Sequence, residues 1–327
     1  MLSTKVLLAT DGSAEAERAA RIAKMVSEKL DAELHVVHVA PVPDPTAWPE
    51  TALYDRDLLL QTREQAESEG RPVLDRQMHY LESVGAETAV PHLLVGRPDA
   101  ETVRLAEELG SGLIVIGSRG IGPVRRAVMG SVSGSVLRHA HCPVLVVRGQ
   151  AEEEETALGP IVLAVDGSEE AQLATKAAAE FSRGTGSQVH LVAVLPEPAN
   201  MFGRHYYSTD IKERLLEQVD ADSRAFLDTQ AEAVRSRGGS PAQVYLARGR
   251  PDAEIVELAE EVGAGLIVLG SRGLGGVKRA LMGSVSASVA RHAHCPVLVV
   301  RAAKDRDTQD TLTAEKPIEG RAPGSGG

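Results

Sequence analysis

The residues of this chain best suited to chemistry are small ones, and they occur twice. Asp11 and Gly12 end a short apolar run, while Gly117, Gly120 and Gly122 lie in a later loop that leads to Gly130 and Ser131. Asp166 and Gly167, then Gly270, Gly273, Gly275, Gly283 and Ser284, repeat the arrangement. Glycines reach positive φ and let a backbone approach an anion, and the amides at a helix start add unpaired donors and partial positive charge. Phosphate is the natural ligand of such a loop. The competing account of any one loop is a tight turn followed by a Gly-Ser helix cap, but these loops hold more glycine than a turn needs. Two familiar phosphate motifs are excluded. No Gly-Lys-Ser/Thr occurs, and GSRGIG reads G-x-x-G-x-G after a fourth strand rather than G-x-G-x-x-G after a first.

The elements that must position these residues are visible as a repeat. Residues 113–148 and 266–301 are identical at 29 of 36 positions, VLLATDGS at 6–13 answers VLAVDGS at 162–168, and GRPDA occurs at 96–100 and 249–253. Within each half, short β-branched runs alternate with stretches of helical period, the pattern of a parallel sheet with crossover helices. In the first half the pattern predicts strands near 5–10, 33–39, 88–95, 113–117 and 143–148, with helices near 14–30, 57–84, 98–110 and 131–140. Strands apolar at consecutive positions fit a sheet covered on both faces, so the fold class is α/β, two tandem doubly wound (Rossmann-like) domains. A ligand of such a sheet binds beyond the carboxyl ends of the strands, where strand order reverses. The domain boundaries fall at 1–148 and 160–301. An acidic linker at 149–159 and a tail at 302–327, expected to be disordered, complete the chain.

Composition narrows the function classes. With 35 basic and 46 acidic residues the net charge is −11, which opposes attraction to nucleic acid or anionic lipid. The longest apolar runs are far short of the roughly 18 residues a membrane span needs, and the start MLSTKVLLATDGS lacks the apolar core of a signal peptide. The expected location is the cytoplasm. Cys142 and Cys295 are too far apart, and too few, for a disulfide framework.

Gly117-x2-Gly120-x9-Gly130-Ser131 and Gly270-x2-Gly273-x9-Gly283-Ser284 resemble the ATP-binding signature of the universal stress protein family, G-x2-G-x9-G-S/T. The resemblance covers both halves, roughly 4–148 and 159–301. It implies a five-stranded parallel sheet of order 3-2-1-4-5 in each domain, and an ATP site with Mg²⁺ in each. The aspartate ending strand 1, matched by Asp11 and Asp166, would lie beside the nucleotide. The end of strand 2, matched by Val39 and Val194, would give backbone contacts to adenine. Gly117, Gly120, Gly130 and Ser131, with Gly270, Gly273, Gly283 and Ser284, would hold the phosphates. The family's dimers imply that the halves pair through their fifth strands, and a further homodimer stays open. Two departures stand out: Gly112 and Gly265 replace the aspartate that often opens strand 4, and Gly275-Gly276 stands where the first loop has Gly122-Pro123.

The implied function is a nucleotide-responsive stress or regulatory module without assigned catalytic residues, hydrolysing ATP slowly at most. The alternatives are an ATP pyrophosphatase or nucleotidyl transferase of the same broad fold, or a scaffold that binds no nucleotide. The enzymes need a Ser-Gly-Gly-x-Asp-Ser loop or a histidine pair at a helix start, and neither is present; the intact double signature opposes the scaffold. Arg119, Arg125 and Arg126, with Arg272, Lys278 and Arg279, could steady a triphosphate, although loop charges are more often simply solvated. His139, His141 and Cys142, repeated as His292, His294 and Cys295, offer three potential ligands where zinc needs about four. Helix-end and buried-strand roles explain them.

Overall fold

The computed structural model describes residues 4–42, 56–120, 129–148, 159–198, 208–273 and 282–302. The expectations for Gly122, Pro123, Arg125, Arg126, Gly275, Gly276, Lys278, Arg279, the linker at 149–158 and the tail from 303 fall outside them.

The first half runs β1 (Lys5–Thr10), α1 (Ala14–Leu30), β2 (Glu33–Pro41), α2 (Arg56–Ser83), β3 (Val90–Gly96), α3 (Pro98–Leu109), β4 (Leu113–Gly117), α4 (Ser131–His139) and β5 (Val144–Val147). The second repeats it as β6 (Ile161–Ala164), α5 (Glu169–Thr185), β7 (Gln188–Leu195), α6 (Thr209–Arg235), β8 (Ser240–Arg248), α7 (Pro251–Glu261), β9 (Leu266–Gly270), α8 (Ser284–His292) and β10 (Val297–Val300). Four of the helices begin where local chemistry favours a start. Ser13 and Ser168 accept the Ala16 and Ala171 amides as N-caps, and Pro98 and Pro251 open α3 and α7, where a missing N–H costs nothing.

The ten strands of the described residues form one sheet in the order β3-β2-β1-β4-β5-β10-β9-β6-β7-β8. Each half contributes five parallel strands ordered 3-2-1-4-5, and the halves meet where β5 pairs antiparallel with β10, Val146 opposite Val297 and Val144 opposite Val299. Alternation along the strands divides the interior into two cores that both run through the junction. Val6, Leu8, Leu145, Val147, Leu298 and Val300 face the side covered by α1, α2, α5 and α6, while Leu7, Val144, Val146, Val297 and Val299 face α3, α4, α7 and α8. The helices nearest the junction pack close because their buried stripes are small: Ala16, Ala19, Ala20 and Ala23 on α1, and Ala171, Ala174, Ala177 and Ala178 on α5. The reversal of strand order lies between β1 and β4 in one half and β6 and β9 in the other, which opens a crevice at the carboxyl ends of those strands.

Candidate functional site

β1 ends in Thr10, and the chain turns sharply into α1. Gly12 takes a φ of +77° and its counterpart Gly167 one of +87°, a left-handed conformation that only glycine adopts readily. The Asp11 carboxylate accepts the Ser13 amide at 3.0 Å, closing an Asx turn that points the side chain outward at the strand end. Asp166 makes the same bond to the Ser168 amide and also accepts the Ser168 hydroxyl at 2.6 Å. Behind Asp11, the buried Thr10 hydroxyl donates to Gln77 of α2 at 2.7 Å, and a His38 ring nitrogen bonds the Thr10 carbonyl at 2.9 Å.

The loop after β4 is fastened at both ends. The Ser118 amide donates to the Val147 carbonyl at the end of β5, and the Ser118 carbonyl accepts both the Gly130 amide at 2.8 Å and the Ser133 hydroxyl at 2.9 Å. The corresponding bonds of the second half join Ser271 to Val300, Gly283 and Ser286. Gly130 and Gly283 are the N-caps of α4 and α8 with no side-chain cap bond, so the first-turn amides are left for an external acceptor.

The signature glycines are needed for close approach, not for positive φ, and here the structure corrects the sequence expectation. Gly117, Gly120 and Gly130 do not lie in the left-handed region, and neither do Gly270, Gly273 and Gly283. A Cβ on Gly120 would stand 2.2 Å from Asp11 Oδ2, and one on Gly273 2.3 Å from Asp166 Oδ2. At Gly117 it would meet Glu15 of α1 at 3.1 Å, and at Gly270 Glu170 at 2.8 Å. At Gly130 it would meet Ser133 Oγ at 3.3 Å and the Ser118 carbonyl at 3.4 Å. A Cβ at Gly130 would therefore crowd the loop's own packing, instead of standing directly in the space expected for phosphates.

Together these elements line a cavity of about 640 Å³ in the first half, within the usual range for small-molecule sites. One wall is apolar, with Val39, Ala40, Ala66 and Val73; the other carries Asp11, Arg119, Gly120 and the Gly130–Ser133 turn. The β1–β2 register ends at Thr10 opposite His38, while β2 continues to Pro41, so Val39 and Ala40 reach past β1 along the cavity. β7 likewise outruns β6, whose register ends at Val192, and carries Val194 beyond it. The site residues expected in the first half are thus gathered around one opening, and those of the second occupy equivalent places.

Several neighbours were not singled out from sequence. Glu15 pairs with Arg119 at 3.1 Å, and Glu170 pairs with Arg272. Each glutamate lies four residues after the aspartate, so the repeated offset was the available signal. His38, Glu69 and Gly70 also line the cavity. They have no identical counterparts, since the aligned positions of the second half carry Ala193, Asp222 and Ser223. Phe226 lies 4.0 Å from where a Cβ on Gly167 would stand, and Val73 fills the matching place beside Gly12. The two halves share the aspartate, glycines and serine and differ in the side chains around them.

The histidine and cysteine run lies elsewhere and is structural. His139 bonds the Ser135 carbonyl one turn back, His141 pairs with Glu107, and burial pushes the Cys142 thiol up to about 12. Among the described residues no group of three or more His, Cys, Asp or Glu side chains is placed to hold a metal ion. Ser135 donates to Asp99 at 2.7 Å with His139 nearby. That trio is no nucleophile, because the hydroxyl proton is directed at the carboxylate and not at the histidine. Burial works against ionisation of Asp99, but the Ser135 hydroxyl and Arg97 outweigh it and hold the carboxyl below its ordinary value. The bond ties α3 to α4, and Ser288 with Asp252 ties α7 to α8.

Comparison with known proteins agrees with this architecture. The sequence profile described as "Universal stress protein family" matches residues 3–148 and again 158–301. A universal stress protein of Mycobacterium tuberculosis (strain H37Rv) is 29% identical over 312 residues, spanning 91% of this chain and 97% of the relative. One from Mycolicibacterium smegmatis is 29% identical over 309 residues, spanning 90% and 96%. The crystal structure of a universal stress protein from Archaeoglobus fulgidus shares the fold, with a TM-score of 0.66 at 24% identity and coverage of 92% and 99%. Two matches to one profile, each containing a complete floor of aspartate, glycines and serine, establish that the chain belongs to the universal stress protein family, in tandem form.

Proposed function

We propose that each half binds ATP with Mg²⁺ and that the chain works as a nucleotide-responsive regulatory module in the cytoplasm. The observation that carries this reading is the cavity of about 640 Å³ whose apolar wall faces a cradle of uncapped helix amides. An adenine ring suits the first surface and a polyphosphate the second. Arg119 and Arg272 add positive charge beside the cradles, already oriented by Glu15 and Glu170. Mg²⁺ commonly takes one or two carboxylates plus substrate phosphates, so it needs no dedicated acidic cluster. Asp11 and the Ser131 hydroxyl are oxygens this chain can offer in the first half, Asp166 and Ser284 in the second. When bound, the ion would neutralise phosphate charge. The reading assigns no catalytic residue, and a net charge of −11 and no described helix long and apolar enough to cross a membrane favour neither nucleic-acid nor bilayer partners. It takes 1–148 and 160–301 as the two units, with 149–159 between them and 302–327 after.

Titration calorimetry of nucleotide-free protein with Mg-ATP is expected to give a stoichiometry near two. A value near zero in folded protein would favour a scaffold without nucleotide. Asp11→Ala and Asp166→Ala should each weaken one of the two sites about tenfold, since each carboxylate fixes its turn and lies against its loop. Unchanged affinity in both variants would remove the aspartates from the site.

A further inference from the structure

The junction between the halves holds two half-buried arginines that the nucleotide reading leaves without a role. Arg148 follows β5 and Arg301 follows β10, and each reaches across the pseudo-twofold axis to the opposite half. Arg301 Nη1 donates to the Ala140 carbonyl at 2.7 Å and the Arg138 carbonyl at 3.2 Å, and its Nη2 donates to the Leu137 carbonyl at 2.7 Å. Arg148 Nη1 donates to the Ala290 carbonyl at 2.8 Å. These acceptors belong to the last turns of α4 and α8, where carbonyls lack intrahelical partners and the helix end is partly negative. A charged planar fork suits that place, and a lysine would match it less well.

The other ends of the same two helices are the cradles. α4 is nine residues long, about 13 Å at 1.5 Å per residue, with Gly130–Ser131 at one end and the Arg301 contacts at the other. A helix this short has no independent stability and keeps its place through tertiary contacts. The arginine is also joined to the loop of its own half, because the Ser271 amide donates to the Val300 carbonyl at 2.6 Å, one residue before Arg272 and Arg301 respectively. Electrostatics registers the same proximity. Burial is the main influence pushing the Arg301 pKa down, with Arg272 and Glu170 both close enough to act on it. Burial and then Arg119 push that of Arg148 down.

We propose that Arg301 and Arg148 are positioning residues that act in trans: each holds, by its far end, the anion-facing helix of the other half. The first-half cradle is then completed by the second half, and the second-half cradle by the first. The link to nucleotide affinity rests on the function proposed above; the positioning itself does not.

Hydrogen exchange of the full chain without nucleotide separates the two. Arg301→Gln should speed exchange of amides 129–136 about tenfold, the loss of about 1.4 kcal/mol, and leave 282–289 within twofold. Arg148→Gln should do the reverse. Arg301→Lys, which keeps the charge and part of the bonding, should show the same crossed pattern at smaller amplitude, and it serves if the glutamine variant unfolds. Equal effects on both cradles in the lysine variant, an effect confined to the arginine's own half, or no effect would each overturn the proposal. In a Gly273→Val background, where only the first site remains, Arg301→Gln should lower Mg-ATP affinity about tenfold and Arg148→Gln change it less than twofold. If the parent chain binds no ATP, the nucleotide reading fails while the exchange pattern still decides the positioning role.

Discussion

Replacing Gly120 with valine is expected to abolish Mg-ATP binding in the first half while the second half still binds. The Cβ alone would stand 2.2 Å from Asp11 Oδ2, well inside any tolerable contact, and the nearest atom belongs to a short side chain already held by the Ser13 amide. Either Asp11 leaves its turn or the loop moves off the cradle. Both dismantle the polar floor, and a loss of more than about a hundredfold, roughly 2.7 kcal/mol, follows. Gly273→Val should do the same to the second half, its Cβ standing 2.3 Å from Asp166 Oδ2. Gly130→Val acts less directly, because its Cβ meets Ser133 Oγ and the Ser118 carbonyl at 3.3 and 3.4 Å, and the added methyls must lever the loop away from α4. The calorimetric stoichiometry should fall from two to one in each single variant and to zero in the pair Gly120→Val with Gly273→Val. Far-UV circular dichroism should be unchanged, since the loops bear little of either core. Two intact sites in the Gly120 variant would show that the floor is not where the ligand sits.

The largest expected effect on architecture comes from charging the junction. Val146 and Val299 are buried at 0% and 1% exposure, in a core that continues from one half into the other. Their neighbours across the junction are Val297 and Val144. Each valine contributes about 1.5–3 kcal/mol by burial, and a lysine in its place must carry an uncompensated charge into an aliphatic interior or swing it out. The double variant Val146→Lys with Val299→Lys should therefore part β5 from β10 and raise the radius of gyration in small-angle scattering. An unchanged radius in the variant, or a wild-type profile that already fits two unattached bodies, would contradict the pairing. Because both halves belong to one chain, association at this junction is intramolecular, and the pairing of β5 with β10 should not loosen on dilution.

The fold was legible because two independent patterns agreed. β-branched runs separated by amphipathic stretches placed β1, α1, β4 and α4 within a residue of their observed limits, and the internal repeat showed that one reading must serve twice. The cradle was legible for a related reason: Gly117, Gly120, Gly130 and Ser131 recur at identical spacing in the second half. Their physical role was less so. A glycine in a sequence announces permissiveness without saying which kind, and only the separation between Gly120 and Asp11 shows that here it is space and not φ. His38, Gln77 and Glu69 escaped notice because they reach the site from β2 and α2, more than twenty residues from Asp11. The second half also has no copy of His38 or Glu69 to draw attention to them. Arg148 and Arg301 were visible as matching ends of the repeat, but which carbonyls they would meet depends on the antiparallel junction.

The outer margins of the ten-stranded sheet follow from the same arrangement. With β5 and β10 occupied by each other, the strands with an open side among the described residues are β3 and β8, and an open side is where foreign strands add on. Each carries a proline as its second residue, Pro91 and Pro241, which has no N–H to offer and within sheets is found at edge strands and bulges. The duplication thus covers both apolar fifth strands and leaves proline-bearing strands at the two margins. Strand addition at a bare valine edge, the hazard a lone half would run, is thereby removed at β5 and β10 within a single polypeptide.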